Sequence, residues 1–114
     1  EVPEQPATDF RLEAIRQGDD LYHSQCASCH GGIGTPSEVA IIAPDLRLMN
    51  LATHSEMQNI VLEGVRAQRG MPDFEDTLTN DQLEAIRAFI VTQARQLKQY
   101  QEDRRTEEET ANQA

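Results

Sequence analysis

The stretch Cys26-Ala27-Ser28-Cys29-His30 decides how this chain is read. It holds both cysteines of the 114-residue sequence and one of its three histidines. Several chemistries use thiols at this spacing. A redox-active dithiol of the thioredoxin kind needs a βαβ setting, and no alternating strands surround the motif. A zinc site needs four ligands; Cys26, Cys29 and His30 supply three, His54 is a possible fourth, and there is no second paired motif.

The remaining reading is covalent haem attachment, for which Cys-x-x-Cys-His is the signature. Each thiol adds to one porphyrin vinyl group, giving two thioether links. The two intervening residues set the reach between the vinyls. The imidazole directly after the second cysteine then lies under the iron and can ligate it. A second axial ligand must come from elsewhere, and the candidates are His23, His54, Met49, Met57 and Met71. Met71 is favoured because Gly70 lets the backbone approach the ring and Pro72 stiffens the loop. A thioether is a soft ligand that suits ferrous iron, and His/Met ligation raises the reduction potential. Without the haem motif, Met71 would read as a loop methionine filling a gap in the core.

Composition narrows the partners. The net charge is −10, from 20 acidic and 10 basic residues, which excludes a phosphate-binding surface and hence nucleic acid. The longest apolar run is five residues, Val39 to Ala43, too short for a membrane span. There is no Trp, and only three Phe and two Tyr, so a cofactor that adds apolar surface would complete a thin core. No leader is visible: either one was removed or the chain was cut from a larger protein.

The pattern predicts one domain of three or four helices. Residues 1–8 read as a polar tail or linker with two prolines, 9–98 as the domain, and 99–114 as a polar tail, partly helical or disordered. A first helix is expected from Asp9 to about Gln25, capped at Thr8 or Asp9, with Gly18 permitting a close crossing. Val39–Ala43 is read as loop rather than strand. Thr53-His54-Ser55-Glu56 resembles a capping box, which makes His54 an exposed first-turn residue of a helix running to Glu63, with Met57, Ile60, Val61 and Gly64 on its inner face. His23 is expected to face solvent, and Met49 is the weaker rival ligand. A last helix starts at the capping box Thr79-Asn80-Asp81-Gln82, with Leu83, Ile86, Ile90, Ala94 and Leu97 as its stripe and Phe89 widening it.

Taken together, Gly18-x-x-Leu21-Tyr22, the haem motif followed by Gly31, Pro44-Asp45-Leu46-Arg47, Gly70-Met71-Pro72 and the final helix with Phe89 resemble a class I c-type cytochrome over residues 9–98. More narrowly, the stretches Ile60-Val61-Leu62-x-Gly64-x-Arg66 and Met71-Pro72-x-Phe74 are similar to the C-terminal cytochrome domain of quinohaemoprotein alcohol dehydrogenases. The resemblance implies an all-α cytochrome c fold around one haem c bound through Cys26 and Cys29. It implies His30 and Met71 as axial ligands, and Pro44 as the residue whose carbonyl accepts from His30 Nδ1–H. Arg47 would pair with a haem propionate; otherwise it is a solvated loop arginine. The implied function is one-electron transfer without enzymatic activity, in the bacterial periplasm or outside the cell. The partner would be a redox protein or a tethered catalytic domain, a quinoprotein or copper enzyme, and the chain is expected as a monomer. The alternative is a haem peroxidase or small-ligand sensor with a labile sixth ligand.

Overall fold

A glycine sets the closeness of the main helix crossing. In the computed structural model, which describes residues 1–30, 45–64, 66, 71, 74 and 76–113 (the side chains of Ser28 and Cys29 excepted), helix α1 (Leu12–Gln25) crosses helix α5 (Asn80–Asn112) at Gly18. A Cβ at Gly18 would overlap the carbonyl oxygen of Ala85 and stand 3.0 Å from the nitrogen of Ile86. Two helix backbones therefore touch, which only a residue without a side chain allows. Tyr22, one turn further along α1, packs its ring 5.4 Å from that of Phe89. Leu83, Ile86, Phe89 and Ile90 of α5 complete the buried side of the crossing.

Between these two lie short helices: α2 (Ala27–His30), a 3₁₀ turn (Leu46–Leu48), α3 (Leu51–Ser55) and α4 (Met57–Val61). No strand occurs among the described residues. Met57, Ile60 and Val61 are buried against α5, as the sequence predicted. Gly64, expected on the face of that helix, lies beyond its end and adopts φ 69°, a left-handed conformation suited to glycine. The Val39–Ala43 stretch lies outside the described residues.

Three boundaries differ from the sequence expectation. Helix α1 begins at Leu12 rather than Asp9, and its N-cap Arg11 makes no side-chain cap. The reason is tertiary: Arg95 of α5 donates to the carbonyls of Pro6 and Thr8 and holds that segment extended. Residues 1–8 run along α5, with Val2 at 3% exposure and its N–H donating to Gln101 Oε1. The middle helix starts earlier than Thr53, because Asn50 caps it by accepting from the N–H of Thr53. It also breaks at Glu56, whose carboxylate accepts from Asn59 rather than reaching back to Thr53.

The last helix is capped as expected: Thr79 Oγ1 accepts from the Gln82 N–H, and Gln82 Oε1 accepts from the Thr79 N–H. It continues to Asn112, and 33 residues at 1.5 Å each make a rod of about 50 Å. Its outer half carries local bonds, such as Gln99 to Asp103 and Arg104 to Tyr100, and is tied to the N-terminal residues through Gln101 and through the Arg105–Glu1 ion pair. Thr79→Ala should cost about 1 kcal/mol, the usual price of losing a cap. Urea denaturation would show this as a lower midpoint at unchanged slope.

Candidate haem-binding site

Gly18, Tyr22, Cys26 and His30 are spaced by four, and the spacing carries the site. The Cys26 N–H donates to the Tyr22 carbonyl at 2.8 Å, and the His30 N–H donates to the Cys26 carbonyl at 2.9 Å. The helical row therefore continues from the crossing through the motif, and residues four apart share one side of a helix. Packing Gly18 and Tyr22 against α5 fixes where the first thiol and the imidazole stand. Cys26 and Ala27 lie at the edge of the buried cluster.

The other candidates reach the same cluster. Met71, Met49, Leu46 and Phe74 all pack against it, half-buried. The Met71 N–H donates to the Arg66 carbonyl at 3.3 Å, and the Phe74 N–H ties that residue back to α4 through the Val61 carbonyl at 2.8 Å. Cys26, Ala27, Leu46, Met49, Met71 and Phe74 thus bring a thiol, two thioethers and apolar carbon to the same buried cluster. This donor set, with His30 one turn beyond Cys26, fits a flat apolar group attached through sulfur and ligated by nitrogen and sulfur. Pro44, Gly70, Pro72 and the Cys29 side chain lie outside the described residues. Among the described residues, no three His, Cys, Asp or Glu side chains gather as a metal site.

Arg47 makes a contact that the sequence reading did not anticipate. Its guanidinium is turned onto Asp45: Nε donates to both carboxylate oxygens at 3.1 Å, and Nη2 donates to Oδ2 at 2.7 Å. Asp45 also caps the 3₁₀ turn by accepting from the Arg47 N–H at 2.9 Å. Arg47 is neither a solvated loop arginine nor directed by a propionate alone. Burial pushes the Asp45 carboxyl up, but the bonds from Arg47 more than offset this, and the carboxyl titrates below its ordinary range. Tyr22, beside this pair, is pushed up to about 12 by burial first and then by the charges of Cys26 and Asp45. Sequence reasoning missed Asp45, although a capping residue two places before an arginine was the available signal.

The histidines separate as well. His23 is half-exposed; its Nδ1–H donates to the Asp19 carbonyl at 2.8 Å, and its ring stands against Tyr22 and Phe89. His54, expected at the surface, is 3% exposed. The earlier start of α3 rotates it inward, and neither ring nitrogen has a protein hydrogen-bond partner among the described residues. Met57 is a core residue, as expected.

These helices form the all-α cytochrome c fold. A family model described as cytochrome c oxidase, cbb3-type, subunit III, matches residues 13–90, and the chain belongs to this cytochrome c family. Quinohemoprotein alcohol dehydrogenase ADH IIB of Pseudomonas putida is 39% identical over 80 residues, covering 70% of this chain and 11% of that protein. The dehydrogenase subunit of alcohol dehydrogenase (quinone) from Acetobacter aceti is 30% identical over 105 residues, covering 91% and 14%. The solved structure of quinohemoprotein alcohol dehydrogenase ADHIIG from Pseudomonas putida HK5 superposes with a TM-score of 0.75 at 32% identity, over 87% of this chain and 14% of that one. The chain thus spans about a seventh or less of the length of these relatives. Family membership implies haem c and a role in electron transfer. No helix among the described residues is long and apolar enough to cross a membrane.

Proposed function

We propose that this chain is a one-electron transfer domain with a single haem c, joined through Cys26 and Cys29 and ligated by His30 and Met71. The observation that supports this is that Cys26 and Ala27 of the motif turn, and Met71, all pack against the same buried cluster. When bound, haem c supplies an iron that changes oxidation state by one electron without breaking a bond to the protein. The chain's own residues hold the geometry still. The α1/α5 crossing fixes the thiol turn, and the bonds to Val61 and Arg66 fix the methionine loop. Leu46, Met49 and Phe74 keep water away from the ligands. The role the resemblance gives to Pro44, a carbonyl that would accept from His30, would orient the ring. With both axial positions filled by protein, no position is open to substrate, and the domain is not itself an enzyme.

Its partners follow from its relatives. They are whole dehydrogenases or dehydrogenase subunits, and this chain matches a small part of each. Residues 9–98 would act as the electron-transfer module of a larger secreted oxidoreductase, or as a free monomeric carrier, in the bacterial periplasm or beyond. The weak far-red absorption band of methionine sulfur on ferric haem tests the ligation. It is expected in the wild type and lost completely in Met71→Ala, with haem still attached. If the wild type lacks the band and its reduced form takes up carbon monoxide, the sixth position is labile. The peroxidase or sensor reading would then replace this one, and Met49 would be tested next.

A further inference from the structure

We propose that Asp45 is a potential-tuning residue: held against Arg47, it sets the charge beside His30, and the balance within the pair adjusts the reduction potential. The inference rests on the carrier reading above. Asp45 caps the Leu46–Leu48 turn and Arg47 lies within it, the two joined by three guanidinium contacts and one backbone bond. Leu46, between them, packs into the cluster that also receives Cys26 and Ala27, so the turn cannot drift relative to the motif. The side chains are 38% and 19% exposed, so solvent screens them less than a surface pair. Beside the bonds from Arg47, the charge of His30 acts in the same direction in holding the Asp45 carboxyl low, and the charges of both Asp45 and Arg47 act on Tyr22.

The chemistry has a definite sign. A carboxylate beside the imidazole favours the more positive, oxidised site, and a guanidinium favours the reduced one. Closed on each other, the two nearly cancel. Removing either leaves the other uncompensated in a half-buried place, where a lone charge acts furthest. A residue that only shaped the turn would change stability and leave the electron equilibrium alone.

The test is the equilibrium of the haem-loaded protein with a redox mediator of fixed potential, with thermal unfolding measured alongside. Asp45→Asn keeps a capping acceptor and removes the charge; it should shift the equilibrium at least fivefold toward the reduced protein. Arg47→Gln should shift it at least fivefold the other way, where tenfold corresponds to 59 mV for one electron. The double variant should return to within twofold of wild type. Arg47→Lys, which keeps the charge but loses the fork, should also stay within twofold even if its melting point falls; Arg47→Met, which removes the charge and keeps an apolar stem, stands in for Arg47→Gln if that variant does not fold. Shifts below twofold in both single variants, or in the same direction, overturn the proposal while the methionine band is intact. A wild type without thioether-linked haem, seen directly in its alkaline pyridine spectrum, overturns the carrier reading and this inference with it.

Discussion

Gly18→Ala should destabilise the protein by more than about 3 kcal/mol, against the usual sign of that substitution within a helix. In an ordinary helix interior, alanine is better than glycine by roughly 1 kcal/mol, because glycine loses more backbone freedom on folding. The crossing inverts this. The added methyl would overlap the carbonyl of Ala85, which is helix backbone and cannot swing aside as the end of a side chain can. The helices must separate, and overpacking of this kind costs 1–3 kcal/mol even where side chains can yield. Separation also unpacks Tyr22 from Phe89 and Ile86 from α1, adding the loss of buried apolar contact. Gly18→Val should leave no folded population. Urea denaturation of the haem-loaded protein decides the point. A Gly18→Ala midpoint at or above wild type would show that the helices can part without cost, and the close crossing would lose its role. Haem attachment gives a second readout, since the same helical row carries Cys26 and His30.

That row was legible in the sequence only in pieces. The cysteine motif, the capping box at Thr79 and the stripe from Leu83 to Leu97 are local patterns, and local patterns survive folding. The methionine loop was found through its flanking Gly70 and Pro72 rather than through any contact. Some of what failed was decided by contacts far along the chain, and some by a choice between neighbouring residues that local pattern does not rank. Thr8 and Asp9 look like helix caps, but Arg95, some 87 residues away from Thr8, takes the carbonyl of Thr8 and keeps the segment extended. Asn50 and Thr53 are both good caps three residues apart, and sequence alone could not rank them. Choosing Thr53 placed His54 outside; the choice of Asn50 turns it in. The resemblance implies a propionate partner for Arg47 and says nothing of its contact with Asp45. Acidic residues beside arginines are common in loops, and only the shared turn shows that this pair is closed.

His54 should make the folded state lose about 3 kcal/mol as the pH falls from 6.5 to 4. Burial first, and then the positive charge of Arg87, pushes its pKa down to about 4 in the folded protein. In the unfolded chain it returns to about 6.5. Between these values the unfolded state binds the extra proton, so stability rises with pH through this window and falls as acid is added. Each pH unit is worth up to about 1.4 kcal/mol, and the loss levels off below the folded value. Asp45 acts in a separate window: its carboxyl is held low, so its contribution is present above the ordinary carboxylate value near 3.9 and disappears only at lower pH. The two groups therefore give successive steps in an acid titration of stability. His54→Leu removes the first step and leaves the second. It also removes two ring nitrogens without protein partners from a buried site, where each unsatisfied polar atom costs on the order of 1–3 kcal/mol. At pH 7 the variant should be at least as stable as wild type, unlike most substitutions of a residue this buried. Denaturant midpoints at half-unit pH steps from 7.5 to 3 would resolve both effects. A wild-type profile flat between 6.5 and 4, or a His54→Leu profile as steep as wild type, would mean that another group carries the acid sensitivity of this fold.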